Sequence, residues 1–522
     1  MHPALDVAEL VDLILDHLTT PHRLVDVEIP CNKSLAALAR TCKSLQDPAL
    51  NVLWREQYTL SNLLRCLPSH LCEVGKIRKL SGSHHVFRIT GTTQPSDWDI
   101  LLSYSTRIRT LRLRSDELEV CDASVFDKIS TELPCDFLCP NLTSLRFNAS
   151  QLSVIPRARF FLGPKIVDLD LHLTIGSDET LLDLPIQYPT LQNLSLSCFH
   201  LTCATSSKIV SSLREITHLS ADTLDRAAFE HLSRLDTLKS LCLIYPSFED
   251  MGLTSGPLLS QPTSSAFPAL QKLYLDDVTP EFAIEVISLL SHRQLESLDI
   301  GTDPFLSKTA AHRLYSALAT HLSHSSLLNL RIGTPSDYTD SHSFKASIAE
   351  YMVDGPTLAV LFPFQNLTEL RLQAPLGFFI DDSTAWDMAR AWPHLRRLHL
   401  AAKAGAPCHN PHGIMSIHAL TAFARYCSDL TSLTLTTFDA RTFLIADSMH
   451  AVSQSSLEFL DVGTSPLRDS LAVALFLHAV FPKLDRITIF DEWMWDEADQ
   501  VDGFGVNQQC RAWKQVQEIL TS

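Results

Sequence analysis

One short pattern, apolar-x-x-apolar-x-apolar, dominates the chain. It begins at Ile108, Leu142, Ile166, Leu191, Ile216, Leu238, Leu270, Leu295, Leu327, Leu367, Leu395, Leu430, Leu457 and Leu484, which makes 14 copies at intervals of 22 to 40 residues. A six-residue unit cannot bury its own apolar side chains, so such copies become stable only by stacking on one another. The pattern therefore dictates a solenoid, whose size is set by the number of copies rather than by one compact core.

The motif and its period are those of a leucine-rich repeat. In Leu270-Gln-Lys-Leu273-Tyr-Leu275 the last three residues alternate as a half-buried strand does, with Leu273 and Leu275 inward and Tyr274 outward. Successive strands of one polarity lie parallel and need crossovers of a dozen or more residues. Segments with helical spacing supply them at Leu224–Leu235, Phe282–Leu290, Thr309–Leu322, Ile414–Cys427 and Ser470–Phe481. Pro140, Pro189, Pro268, Pro393 and Pro482 each stand shortly before a motif, where proline ends a helix and opens an extended segment. The expected fold is α/β: a curved β/α solenoid of the ribonuclease-inhibitor-like type over residues 106–490. Inserted loops are expected in the wide gaps 327–367 and 395–430 and in the Pro- and Ser-rich stretch 255–265.

The alternation also predicts an outward row: Arg112, Arg146, Asp170, Ser195, Ser220, Cys242, Tyr274, Asp299, Arg331, Arg371, His399, Thr434, Asp461 and Thr488. At about 4.8 Å per strand this row would span roughly 65 Å, a surface suited to a protein rather than a metabolite. Arg112, Arg146, Tyr274, Asp299, Arg331, Arg371 and His399 are the expected substrate contacts on this concave face. The plainer alternative is a polar face that keeps the solenoid in solution.

A net charge of −17 over 522 residues argues against nucleic acid as the partner, since phosphate recognition needs clustered cations. The cluster Arg107, Arg109, Arg112 and Arg114 reads first as a solvated strand end. The first residues lack a basic and apolar leader, and no apolar run is long enough for a membrane span. The 13 cysteines then read as reduced thiols of a cytoplasmic or nuclear protein.

Residues 1–60 lack the repeat and read as three short helices. Asp6 and Glu9 have capping-box spacing, after which Leu10, Leu13, Ile14 and Leu18 share a face. Pro21 and Pro30 bracket a loop. Ser34 can cap a second helix bearing Leu35, Leu38, Ala39 and Cys42, and Asp47-Pro48 reads as the start of a third with Leu50, Leu53 and Trp54. Helices this short need a partner, either the first repeat or another chain.

Three segments of this region, ValAlaGluLeuValAspLeuIleLeuAspHisLeu, LeuAlaAlaLeuAlaArgThrCysLysSerLeu and ProAlaLeuAsnValLeuTrpArg, resemble an F-box. With Leu63-Leu64-Arg65-Cys66-Leu67-Pro68, the SerAspTrpAsp stretch at 96–99 followed by Tyr104, and Cys139-Pro140-Asn141-Leu142, the chain resembles the F-box/leucine-rich-repeat proteins abundant in mushroom-forming fungi. It departs from them in one place: Val7-Ala8 stands where an F-box usually opens with Leu-Pro. The resemblance implies a substrate-recognition subunit of an SCF-type cullin–RING ubiquitin ligase. The F-box would dock a Skp-type adaptor and the repeats would hold a protein substrate. It places Leu10, Ile14, Leu18, Leu38, Cys42, Leu53 and Trp54 at the adaptor contact or in the helical core. It requires no catalytic residue here, because ubiquitin transfer belongs to other subunits. The domain layout that follows is an F-box-like region at 1–66, a connecting segment at 67–105, the solenoid at 106–490 and an acidic cap and tail at 491–522. The alternative is a leucine-rich scaffold whose helices merely cap the solenoid.

No metal or cofactor is expected. Cys408-His409-Asn410-Pro411-His412 reads as a loop, and the chain holds no Cys-x-x-Cys pair. Asp491, Glu492, Asp496, Glu497, Asp499 and Asp502 fit no calcium loop; Trp493 or Trp495 is expected to cover the solenoid's end, with Ala512–Leu520 as a final helix. No Gly-rich phosphate loop or nucleophile elbow is present.

Overall fold

The computed structural model describes residues 8–17, 21–24, 27–30, 32–79, 82–113, 123–149, 159–173, 182–198, 203–249, 251, 258–259, 266–290, 294–303, 305–334, 348–402, 415–435, 437–441, 452–463, 465–488 and 506–521. The chain forms two compact units, Met1–Asp222 and Thr223–Ser522.

The first unit opens with helix α1 (Ala8–His17), an antiparallel hairpin of β1 (Pro21–Leu24) and β2 (Val27–Pro30), and helices α2 (Asn32–Leu38) and α3 (Lys43–Arg55). The hairpin lies where a plain loop is expected. Helix α3 begins ahead of Asp47-Pro48, so Pro48 lies inside it and Cys42 is its N-cap rather than part of the α2 face. The proline removes one backbone donor. The helix persists because Ala49 and Val52 beyond it are held in a core with Val11, Leu15, Leu35 and Ala39. Tertiary packing thus outweighs the local start signal.

Strand β3 (Glu56–Gln57) follows directly, then α4 (Ser61–Leu64), the antiparallel strands β4 (Cys72–Lys79) and β5 (Gly82–Ile89), and α5 (Asp99–Ser105). The repeat strands of this unit are β6 (Thr110–Leu113), β7 (Ser144–Ala149), β8 (Asp168–Leu173), β9 (Asn193–Cys198) and β10 (His218–Ala221). With β3 they make one parallel ladder in the order β3-β6-β7-β8-β9-β10. The ladder thus starts at Glu56, before the first motif at Ile108. Helix α3 is tied to this edge: Arg107 pairs with Asp47 at 2.8 Å and bonds Asn51, and the Arg109 N–H donates to the Arg55 carbonyl at 2.9 Å.

The second unit carries β11 (Ser240–Ile244), β12 (Lys272–Val278), β13 (Ser297–Thr302), β14 (Asn329–Gly333), β15 (Val353–Asp354), β16 (Glu369–Ala374), β17 (Phe378–Phe379), β18 (Arg397–Ala402), β19 (Ser432–Leu435), β20 (Phe459–Asp461) and β21 (Arg486–Thr488). All but β15 and β17, which pair with each other, form a parallel ladder in chain order. Every expected repeat strand is therefore present, five in the first unit and nine in the second.

The motif's chemistry explains each step of the ladder. Its first apolar residue is buried in all 14 copies, from Ile108 to Leu484, beside the inward strand residues such as Leu111 and Leu113 or Leu370 and Leu372. Burial of each such side chain contributes on the order of 1.5–3 kcal/mol. The residue directly after that first apolar position sets the register through its carbonyl, which accepts two successive N–H groups of the next copy. Arg109 accepts from Thr143 and Ser144 at 2.8 and 3.0 Å, and Thr368 accepts from Arg396 and Arg397 at 2.8 and 3.1 Å.

The expected crossover helices are present, four of them started by side-chain caps. Asp225 accepts from the Ala228 N–H at the head of Arg226–Ser233, Thr279 caps Pro280–Leu289, Ser307 caps Lys308–His321 and Asp469 caps Ser470–Val480. The segment at 414–427 is a 3-10 turn, Ile417–Ala419, running into the helix Leu420–Tyr426. The final helix, Val506–Thr521, closes the exposed edge at β21: Gln517 accepts from the Ile487 N–H and donates to the Asp485 carbonyl at 2.6 Å. Its buried Trp513 donates to the Ser465 carbonyl at 2.8 Å and meets Phe438 edge-on. Trp493, Trp495, the acidic tail, Cys408–His412 and most of 255–265 lie outside the described residues. Among those described, no helix is long and apolar enough to cross a membrane, and no group of three His, Cys, Asp or Glu could hold a metal ion.

Candidate functional site

Two kinds of surface stand out: a helix face in the first unit, and an outward strand row in each unit. The first is α1. Its core side is Val11 and Leu15, 5% and 1% exposed, while Leu10, Leu13 and Ile14 are 43%, 58% and 48% exposed. The spacing 10, 13, 14 is one helical face, so the chain makes an apolar stripe and leaves it in solvent. Leu10 and Ile14 lie on this stripe as the sequence reading places them. Leu38 and Leu53 are half-buried against the helical core. Cys42 takes the N-cap position of α3 without a side-chain cap bond, its Sγ 3.3 Å from Ser44 Oγ. Trp54 stacks on Tyr104 of α5, ring centroids 4.7 Å apart. Leu18 is outside the described residues.

The second surface is the outward row of the ladder. In the first unit Arg112, Arg146, Asp170, Ser195 and Ser220 are successive register partners. Arg112 pairs with Glu56 at 3.0 Å and lies over the Tyr58 ring, and Arg146 pairs with Asp170. In the second unit Cys242, Tyr274, Asp299, Arg331, Arg371, His399, Thr434, Asp461 and Thr488 align in the same way. Thr434 is buried between its register neighbours rather than exposed.

The middle of the second row is a pocket lined by Tyr274, Asp299, Arg331, Arg371 and His399, with Asp276, Gly301, Gly333, Thr334 and Gln373 along one side. Those last positions were missed by the motif, which stops at its third apolar residue. The signal was available: Asp276, Gly301, Gly333 and Gln373 each lie two residues beyond an outward residue, so strand alternation puts them on the same face. Here the ladder is irregular. Leu275 pairs with Ile300 and Val278 with Thr302, so Asp276 and Asp277 oppose Gly301 alone. This is a β-bulge, and Asp277 takes a left-handed backbone (φ 56°) to make it. A Cβ on Gly301 would stand 2.2 Å from Asp276 Oδ1, so the glycine lets the aspartate fold over the strand.

Burial shapes the charges. Asp299 is pushed up to about 6 by desolvation, against the pull of Arg331. His399 is pushed down to about 4 by desolvation and then by Arg371 and Arg331. The Tyr274 hydroxyl is raised by burial and by Asp276 and Asp299. At neutral pH the pocket therefore holds a neutral imidazole beside two guanidiniums. Arg331 is 3.6 Å from Asp299, while Arg371 meets Glu369 through its Nε at 2.6 Å. Glu369 also holds Arg397 at 3.2 Å.

No protein-family model matches the chain, and no curated protein does. Among solved structures it is similar to the crystal structure of the Rad7 and Elc1 complex in yeast, with 14% sequence identity over 93% of this chain and 88% of that chain and a TM-score of 0.32. A likeness at that level leaves the functional reading to the chain's own residues.

Proposed function

We propose that this chain is the substrate receptor of an SCF-type cullin–RING ubiquitin ligase: α1–α3 form an F-box that docks a Skp-type adaptor, and the ladder faces hold a protein substrate. The observation that carries the reading is the uncovered stripe Leu10, Leu13 and Ile14. A helix that only capped the repeats would turn its apolar residues inward, as Val11 and Leu15 do. The F-box resemblance of the same segment names the partner. The chain itself performs no ubiquitin chemistry in this scheme.

The test is capture of a Skp-type adaptor by the full chain, wild type against Leu10→Asp with Ile14→Asp. Both positions are exposed, so the variant keeps its core. Capture by the wild type and its loss in the variant support the reading; no capture by the wild type sinks it. One observation favours the scaffold alternative: β3 and Arg107 fasten α3 to the repeats. Under that alternative the α1 variant behaves as the wild type in every interaction.

A further inference from the structure

We infer that the pocket at the bulge of the second unit is a seat for one anionic group, a carboxylate or phosphoryl group, borne by the protein that the ladder holds. This rests on the proposal that the ladder faces bind protein, and it narrows that proposal to a chemical class.

Arg331 on β14 and Arg371 on β16 are direct Cα partners, and no carboxylate stands between them in the row. Like charges opposite each other on adjacent parallel strands repel, so the pair is stable only with compensation. The carboxylates present compensate from elsewhere: Asp299 from the preceding strand at 3.6 Å, and Glu369 from two residues earlier on β16, where it is shared with Arg397. Two guanidiniums set side by side match the paired oxygens of a carboxylate or the three of a phosphoryl group. His399, the next register partner, adds a ring nitrogen to the same pocket.

The surroundings make this a shaped site rather than a charged spot. The bulge, the left-handed Asp277 and the facing glycines Gly301 and Gly333 all fall at this one stretch of the ladder. Bulges re-aim side chains, and here Asp276 is folded over Gly301 to form the rim, with Gln373 folded over Gly333. Asp276 and Asp299 on one side and the arginines on the other give the pocket a direction, so that an anion is drawn to the β14–β16 side. The chain's net charge of −17 opposes non-specific anion binding, so capture here depends on the local pair of arginines.

The test uses ligand-observed saturation-transfer NMR on the full chain with two probes, phenyl phosphate and phenylacetate. Binding of either supports the inference, and the tighter one names the source of the anion. Arg331→Gln and Arg371→Gln should each weaken that probe by about tenfold or more, as loss of a charge-assisted bond does. Arg313→Gln, on the helix Lys308–His321, should leave it unchanged. Melting curves of the variants check that the fold is kept. Failure of both probes to bind the wild type overturns the inference, as does undiminished binding in a folded variant that combines Arg331→Gln with Arg371→Gln. Adaptor capture is measured on the same preparations. A chain that captures adaptor but binds neither probe refutes the anion seat and leaves the receptor reading intact.

Discussion

Trp54 at the end of α3 stacks on Tyr104 of α5, centroids 4.7 Å apart and planes 25° from parallel. One face of the tryptophan ring is thereby packed within its own chain. It joins the N-terminal helices to the segment that leads into the first repeat strand.

This gives a prediction that separates packing from recognition. Trp54→Ala should lower stability by roughly 2–3 kcal/mol, from lost apolar burial and the ring pair. Adaptor capture should fall only as far as the folded fraction falls. Thermal melting beside capture at low temperature measures both, and a capture defect in a fully folded variant would contradict this assignment.

The anion pocket has a built-in pH signature. His399 is neutral in the fold, so the stability it allows is complete above its ordinary 6.5 and is lost as pH falls toward about 4. Asp299 has the opposite sign: its stabilisation is complete below the ordinary 3.8 and is lost as pH rises through about 6. Between pH 6.5 and 4 the two slopes offset each other. Asp299→Asn should therefore steepen the loss of melting temperature on acidification, and His399→Gln should flatten it. Parallel profiles for both variants and the wild type would refute the assignment.

The bulge gives a third prediction. Gly301→Ala puts a methyl group 2.2 Å from Asp276 Oδ1, so it should destabilise by about 1–3 kcal/mol and displace the aspartate. Asp276→Ala should relieve most of that cost when the two are combined. A double-mutant cycle by chemical denaturation reads the coupling; strict additivity would mean that the side chains do not meet.

Much of this was legible in the sequence because a period-two strand and a repeat are strong local signals. The outward residues from Arg112 to Ser220 and from Cys242 to Thr488 align in register in their two ladders as alternation requires. The features that were not legible depend on distant partners. Glu56–Gln57 is too short to carry a pattern, and it becomes a strand only because Thr110 and Leu111 lie beside it. Pro48 reads locally as a helix start, yet the core around Ala49 and Val52 extends the helix back to Lys43. The bulge at Asp276 and Asp277 follows from the register of β13, which no residue of β12 encodes alone.

The receptor role requires that α1 be a docking helix. Hydrogen exchange of the full chain with and without a Skp-type adaptor tests this most directly. A docking α1 gives slowed exchange over Ala8–His17 and its neighbours in the N-terminal helices, with the repeat strands from Ser240 to Thr488 unchanged. Exchange over Ala8–His17 that is the same with and without adaptor would contradict it.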